Sequence, residues 1–331
     1  MIPAEPAEAA VRMLADYAGT GPGAALLVIR DGEVVVRQGL GLAELETGRA
    51  ITPSTSFRLA SVSKQFTAAA ILLLAQDGTL GIDDPIKRWL PSLPPVADPI
   101  TVRHLLSHTS GLIDYEDLMD PSDTRQIHDA GVLTLLEAQD RTWFVPGSSY
   151  RYSNGGYALL ALIVERASGL RYAQFLRQRI FAPLGMRSVA FEEGISQVPE
   201  RAFGYSRVDG RWQRTDQSST SAVLGDGGIY ASSDDLARWD AAWHDDRLLR
   251  EPWRRLATAP ATRTDEPEVD FYGFGWRLHD GLQWHSGETI GFRNVMLRWP
   301  ARRFTVVLLS NRNDPEPWAL ARRIAALWGV D

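Results

Sequence analysis

The chain has 331 residues, of which 44% are hydrophobic and 23% charged, and it contains no cysteine. This composition is that of an ordinary folded protein, and the lack of cysteine excludes disulfides, a cysteine nucleophile and metal sites built on thiolates. The formal net charge of −6 argues against a general nucleic-acid-binding protein, which needs a basic surface.

No segment has the length of a membrane span, since the longest apolar run, residues 68–75, is far shorter than about 20 residues. The N-terminus carries Glu5, Glu8 and Asp16 and has no unbroken apolar core, so it does not resemble a secretory signal. If Met1 is the native start, we expect a cytoplasmic protein. A chain trimmed of its signal would instead be secreted or periplasmic.

The N-terminal third predicts a helix, a hairpin and a buried helix. Residues 5–18 have an amphipathic helical pattern. Residues 24–29 and 34–38 read as strands joined at Asp31-Gly32, a pair that favours the positive φ angles of a tight hairpin turn. Residues 61–76 predict a helix whose second half is apolar on every face, so we expect that half to be fully buried.

The middle of the chain is rich in predicted helices and its C-terminal part in predicted strands. Helices are expected at 101–107, 124–140, 155–168, 171–181, 234–243 and 316–328, and strands at 205–208, 212–214, 271–278, 282–287, 292–299 and 303–310.

Short hairpin connections favour an antiparallel sheet, so the chain predicts an α+β fold with one sheet built from both chain ends and flanked by helices. We expect residues 1–61 and 221–331 to form the sheet domain and residues 62–220 to form an inserted, mainly helical domain. The active site is expected at their interface.

The first candidate for chemistry is the pair Ser61 and Lys64. Residues three apart share one face of a helix, and a serine in the first turn lies in the positive field of the helix N-terminus. A buried lysine can accept the serine proton, whereas an arginine cannot. An S-x-x-K sequence occurs by chance about once in a chain of this length, but only Lys64 and Lys87 among the 35 basic residues are lysine.

Two further segments carry polar groups suited to catalysis. A tyrosine such as Tyr152 can act as a general base near a lysine, and the amide of Asn154 can hold a lysine or a substrate carbonyl. His285 and Ser286 can hydrogen-bond a substrate, and Gly287 allows its close approach to a strand. Taken alone, the first segment also fits an aromatic turn with a helix cap, and the second a polar strand end.

In this order, S-x-x-K, Y-x-N and H-x-G resemble the serine β-lactamase and penicillin-binding-protein superfamily. The likeness is greatest to its class C β-lactamase-like branch, which includes esterases and D-aminopeptidases. Three more segments support it: LLSHTSGL at 105–112, PLGM at 183–186 and GGIYAS at 227–232. The resemblance extends over about residues 20–325, and it implies the β-lactamase/transpeptidase-like fold.

The resemblance also implies roles for individual residues. Ser61 would attack a carbonyl and form an acyl-enzyme, and Lys64 would activate it. Tyr152 would serve as general base in acylation and as proton donor to the leaving group, while Asn154 would orient Lys64 and the substrate amide. The oxyanion hole would consist of the backbone N–H groups of Ser61 and Glu288. Whether Lys64 or Tyr152 takes the proton first stays open, because the two would titrate as a coupled pair.

The chain departs from β-lactamases and penicillin-binding proteins at His285, where those proteins usually have a lysine that helps to hold the substrate carboxylate. Neutral histidine attracts a carboxylate less, so the departure favours the esterase and peptidase members. No cofactor or metal is implied. His104 and His108 have zinc-ligand spacing, but no glutamate lies between them, so we expect structural roles.

The sequence therefore predicts a metal-independent serine hydrolase that cleaves an ester or amide bond through Ser61. The alternatives are a β-lactamase or D,D-carboxypeptidase and, from another class, a non-catalytic binding or scaffold protein with the same fold. We expect a small-molecule ester, amide or β-lactam as the substrate and neither nucleic acid nor membrane as a partner. The oligomeric state stays open.

Overall fold

The structure is a computed structural model that describes residues 4–192 and 197–330. Its α-helices, numbered in chain order, are α1 (Ala4–Arg12), α2 (Lys64–Gln76), α3 (Val102–Leu106), α4 (Asp129–Glu137), α5 (Asn154–Ser168), α6 (Tyr172–Leu176), α7 (Leu224–Gly227), α8 (Ser233–Ala242), α9 (Glu251–Ala257) and α10 (Trp318–Ala326). A π-helical turn, Arg177–Phe181, continues α6.

Within residues 4–192 and 197–330, the strands form one large sheet and three small ones. They are β1 (Ala24–Arg30), β2 (Glu33–Leu40), β3 (Leu42–Glu44), β4 (Arg49–Ala50), β5 (Phe57–Arg58), β6 (Val189–Ala190), β7 (Tyr205–Val208), β8 (Arg211–Arg214), β9 (Ile229–Ala231), β10 (Thr262–Arg263), β11 (Phe271–Tyr272), β12 (Arg277–His279), β13 (Leu282–Thr289), β14 (Phe292–Trp299) and β15 (Phe304–Ser310).

The large sheet has eight antiparallel strands in the order β10-β11-β12-β13-β14-β15-β1-β2. The N-terminal hairpin joins the C-terminal strands through β1 and β15, with Ala24 opposite Ser310 and Arg30 opposite Phe304. The turn between β1 and β2 has the predicted positive φ angles, 55° at Asp31 and 86° at Gly32. The prediction of an α+β fold with an antiparallel sheet from both chain ends is therefore confirmed.

Helices cover both faces of this sheet, which explains why β1 is apolar at nearly every position. Successive side chains of a strand point to opposite faces. Leu27 and its neighbours at 25 and 29 pack into the core that contains α2 and α5, whereas Leu26 packs with residues of α1 and α10. The whole strand except Arg30 is consequently buried.

Helix α2 lies inside the larger core, as its apolar sequence predicts. Every residue from Lys64 to Ala75 is buried. A 3₁₀ turn, Ala60–Ser63, leads into the helix, and Ala60 there has a φ of +50°. A residue with a side chain rarely adopts this left-handed conformation, so the backbone is strained one residue before Ser61.

Some local expectations were wrong. The strand expected over 271–278 is divided into β11 and β12 by a tight turn at Gly275, whose φ is +78°. A Cβ on Gly275 would lie 2.7 Å from the Lys64 carbonyl oxygen, so this turn packs directly on the first residue of α2. The helix expected over 124–140 is confined to α4, and α9 was not anticipated.

His104 and His108 do not share a helical face. Helix α3 ends at Leu106, and His108 lies beyond it with a φ of +58°. His104 Nδ1 accepts from Thr101 N–H in a capping box, and His108 Nδ1 accepts from Ser153 N–H. In the described ranges, no helix combines the length and apolar character needed to traverse a bilayer.

Candidate active site

Lys64 is fully buried, and its ammonium group lies at the centre of the candidate site. Its Nζ is 3.0 Å from Ser61 Oγ, 2.8 Å from Asn154 Oδ1 and 2.8 Å from the carbonyl oxygen of Asp226. A protonated lysine has three N–H donors, so these three acceptors satisfy it completely.

The same geometry determines what a neutral Lys64 can do. An amide oxygen and a backbone carbonyl oxygen only accept hydrogen bonds, whereas a serine hydroxyl can also donate. After loss of one proton, the two remaining N–H groups stay on Asn154 and Asp226, and the lone pair faces Ser61 Oγ. Lys64 is therefore oriented to accept the Ser61 proton.

Asn154 is the first residue of α5, and its side-chain amide is held at both ends. Ser153 caps the helix by accepting from Gly156 N–H, and Asp114 Oδ2 accepts from Asn154 N–H at 2.6 Å. Asn154 Nδ2 donates to Glu116 Oε1 at 3.2 Å. The amide oxygen is thereby directed at Lys64.

Tyr152 lies beside Lys64, and its ring contacts both Lys64 and His108. Lys64 Nζ is 4.9 Å from the centre of the Tyr152 ring, and the ring packs at 4.3 Å from that of His108. The hydroxyl is buried and has no hydrogen-bond partner among residues 4–192 and 197–330. Burying a hydroxyl without a partner costs about 1–3 kcal/mol.

His285 is fully buried, and both of its ring nitrogens already have partners. Nδ1 is 2.6 Å from the Ser286 carbonyl oxygen, and Nε2 is 3.0 Å from Tyr272 Oη. Burial, reinforced by Arg277 and Lys64, holds the pKa of His285 well below its usual value, so the ring is neutral at neutral pH. A carbonyl only accepts, so Nδ1 carries the proton and Nε2 accepts from the Tyr272 hydroxyl.

This geometry leaves His285 no free ring nitrogen to offer a substrate, unlike the contact expected from the sequence. The imidazole instead links β13 to Tyr272 of β11. Ser286 Oγ also has a partner, since Arg277 Nη1 donates to it at 3.3 Å.

Gly287 allows β13 to approach the segment that carries Ser61. A Cβ at this position would lie 2.0 Å from the Leu59 carbonyl oxygen, which no side chain tolerates. The approach brings Ser61 and Glu288, whose backbone N–H groups were expected to form the oxyanion hole, to one small cleft of about 50 Å³. Glu116 and Asn154 line the same cleft.

The sequence analysis missed Asp226, which supplies an acceptor for Lys64 through its backbone. Asp226 is 7% exposed, and its carboxyl accepts from Tyr115 Oη at 3.0 Å. Burial raises the pKa of this carboxyl to about 7, although the positive charge of Lys64 opposes the increase. The available signal was an aspartate next to the GGIYAS block, in the sequence LGDGG.

Asp129 of α4 was also missed, and it fixes the turn that carries Asp226. Its two carboxylate oxygens accept from Leu224 N–H at 2.9 Å and Gly225 N–H at 3.0 Å, at the start of α7. Burial raises the pKa of Asp129 to about 7. In the described part of the chain, no three histidine or acidic side chains are grouped to hold a metal ion.

Comparisons with known proteins give a consistent result. The family model described as Beta-lactamase matches residues 10–327. The chain is 33% identical to penicillin-binding protein 4* of Bacillus subtilis (strain 168) over 311 residues, which cover 87% of this chain and 68% of that protein. It is 31% identical over 327 residues to a D-aminopeptidase of Gluconobacter oxydans (strain 621H), covering 94% of this chain but only 59% of the D-aminopeptidase.

Solved structures agree with the sequence comparisons. D-amino acid amidase from Ochrobactrum anthropi SV3, complexed with L-phenylalanine amide, superposes with a TM-score of 0.85 and 26% sequence identity. The match covers 98% of each chain. The two proteins therefore share their fold over nearly the whole of both chains.

Proposed function

The chain belongs to the β-lactamase family, and on that premise we propose that it hydrolyses small amides of amino acids through an acyl-enzyme on Ser61. Family membership confirms the predicted resemblance, the β-lactamase/transpeptidase-like fold and the class of serine hydrolase. The observation that carries the proposal is the 3.0 Å hydrogen bond between Lys64 Nζ and Ser61 Oγ.

The proposed reaction begins when neutral Lys64 takes the proton of Ser61. Ser61 Oγ then attacks the substrate carbonyl, and the backbone N–H groups of Ser61 and Glu288 receive the developing negative charge. The C–N bond of the substrate then breaks, and the departing nitrogen must receive a proton. The unpartnered hydroxyl of Tyr152 is the proposed donor to this nitrogen, with its proton restored from Lys64. Water then attacks the ester on Ser61 as neutral Lys64 takes one of its protons, and Lys64 returns this proton to Ser61 Oγ as the acid leaves.

The charges of the cleft support an amine-bearing substrate. Glu116 and Glu288 are exposed carboxylates that line it. Arg58 also lines the cleft, but this residue is 2% exposed, and its Nη2 donates to the Ser221 carbonyl oxygen. A negative cleft attracts the ammonium group of an amino-acid amide and repels a carboxylate.

The relatives support the same choice over the alternatives. The matched D-aminopeptidase and D-amino acid amidase carry names that refer to D-amino-acid chemistry. A β-lactam antibiotic brings a carboxylate into the cleft, and neutral, buried His285 supplies no cation to hold it. Simple esters are more reactive than amides, and we propose them as secondary substrates of the same machinery.

We also propose that the site lies between two units of the chain, residues 1–61 with 221–331 and residues 62–220. Ser61 and Glu288 come from the first unit, and Lys64 and Asn154 come from the second. The hydrogen bonds of Lys64 to Ser61 and Asp226 connect the two units at the site.

A fluorophosphonate probe and an amide substrate panel test the proposed function. We expect wild type to be labelled on Ser61 and to hydrolyse D-amino-acid amides, and Ser61→Ala to lose both properties. Ser148→Ala, which removes an exposed serine hydroxyl elsewhere, serves as the matched control. Full turnover by Ser61→Ala, or labelling at another serine, would refute the proposal.

A further inference from the structure

Few of the titratable groups that face Lys64 carry charge. They comprise Asp226, Glu116, His108, His285 and the rings of Tyr152 and Tyr157. Burial holds the pKa of both histidines well below the usual value and raises that of Tyr157, so these three groups are neutral near neutral pH. The remaining acidic groups are Glu116, which is exposed, and Asp226, which is buried.

Asp226 is held next to Lys64 from several directions. Its carbonyl oxygen accepts from Lys64 Nζ, and its carboxyl accepts from Tyr115 Oη. Asp129 clamps the two preceding residues, and Thr67 Oγ1 of α2 donates to the Gly225 carbonyl oxygen at 2.7 Å. The position of the Asp226 carboxyl relative to Lys64 is therefore fixed by hydrogen bonds from the 3₁₀ turn at Tyr115, from α2 and from α4.

We propose that Asp226 is a positioning residue whose carboxylate stabilises the ammonium form of Lys64 and thereby sets the pH at which Ser61 becomes reactive. This inference rests on the proposed function, in which Lys64 takes the Ser61 proton. A buried charge near a buried amine acts with little screening, so its effect exceeds that of exposed Glu116.

The sign of the effect follows from the charges. An ionised Asp226 favours the charged form of Lys64, so the amine becomes a base only at higher pH. Asparagine at 226 keeps the backbone carbonyl and can still accept from Tyr115, but it removes the negative charge. Asp226→Asn should therefore move the acid limb of the kcat/KM profile to lower pH, by roughly one unit.

The experiment measures kcat/KM against pH for an amino-acid amide with wild type and Asp226→Asn. Asp129→Asn is the matched control, because it removes a buried carboxylate of α4 that holds the same turn but leaves the Asp226 charge. The asparagine amide offers one acceptor oxygen in place of the two of aspartate, so this control should reduce kcat/KM at every pH. It should not move the acid limb of the profile to lower pH.

An acid limb that stays in place or moves upward in Asp226→Asn would overturn the inference. A wild-type limb below about pH 6 would also overturn it, because burial raises the pKa of Asp226 to about 7 and the carboxyl is neutral at lower pH. If Asp226→Asn does not fold, Tyr115→Phe replaces it. Loss of the Tyr115 donor disfavours the ionised carboxyl, so the limb should move in the same direction by less, and an unmoved limb refutes the inference.

The outcomes separate this inference from the proposed function. A wild-type protein without turnover that depends on Ser61 contradicts the proposed function. Wild-type turnover together with an unmoved limb in the Asp226 variant contradicts only the role of Asp226.

Discussion

The substitution Gly287→Ala tests whether the close approach of β13 to the Ser61 segment assembles the site. The new Cβ would lie 2.0 Å from the Leu59 carbonyl oxygen and 3.3 Å from Ala60 Cβ. Real Cβ atoms essentially never show contacts under 3.0 Å, so the two backbones must separate by at least 1.0 Å, the difference between 3.0 and 2.0 Å.

That separation moves the backbone N–H of Glu288 relative to Ser61. A misplacement of 1 Å in a catalytic site costs about 100-fold in rate, and overpacking costs about 1–3 kcal/mol of stability. We therefore expect kcat/KM for an amide to fall about 100-fold and the thermal midpoint to fall by several degrees, roughly 2–4 °C for each kcal/mol in a larger domain.

The assay is steady-state hydrolysis together with thermal unfolding followed by circular dichroism. Gly156→Ala on α5 provides the matched control, since its new Cβ would have ordinary contacts of 3.7 Å or more and alanine favours a helix. Wild-type kcat/KM and stability in Gly287→Ala would refute the reasoning that this approach assembles the site.

Three further predictions concern side chains. Lys64→Arg keeps the charge but cannot act as a base, so kcat should fall by about 100-fold or more in a folded protein, and retained kcat would contradict the role of Lys64. Glu116→Gln removes a negative charge that attracts the substrate ammonium group, so the ratio of kcat/KM for an amino-acid amide to kcat/KM for its N-acetyl form should fall about tenfold. The neighbouring substitution Asp117→Asn should leave this ratio unchanged. Burial raises the pKa of Asp240, but the Arg298 charge and several hydrogen bonds outweigh burial and lower this pKa from 3.8 to about 2. Asp240 should therefore contribute about 2 kcal/mol to the free energy of unfolding above pH 3.8, and this contribution is lost as the pH falls through about 2. Acid unfolding midpoints of wild type and Asp240→Asn measure this contribution. Equal acid sensitivity of the two proteins would contradict the prediction.

The sequence predicts those parts of the fold that depend on local patterns. The Asp31-Gly32 hairpin and the buried helix α2 follow from turn chemistry and from an unbroken apolar sequence. The turn at Gly275 could not be predicted, because its conformation depends on contact with the Lys64 carbonyl more than 200 residues earlier.

The site follows the same division between local and long-range causes. Ser61, Lys64 and Asn154 were found because their side chains form ordered motifs, and the structure brings them into hydrogen-bond contact. Asp226 was missed because its contact with Lys64 uses a backbone oxygen, which every residue type carries. His285 Nε2 is occupied by the Tyr272 hydroxyl, which lies on a different strand, so this hydrogen bond depends on a long-range contact.

The most direct test of the central claim is the mass of the Ser61 peptide after rapid acid quenching during turnover of an amino-acid ester or amide. The account predicts that wild type carries the acyl group of the substrate on Ser61 and that Ser61→Ala carries none. Wild-type turnover by Ser61→Ala, or an acyl group on another residue, would contradict the account.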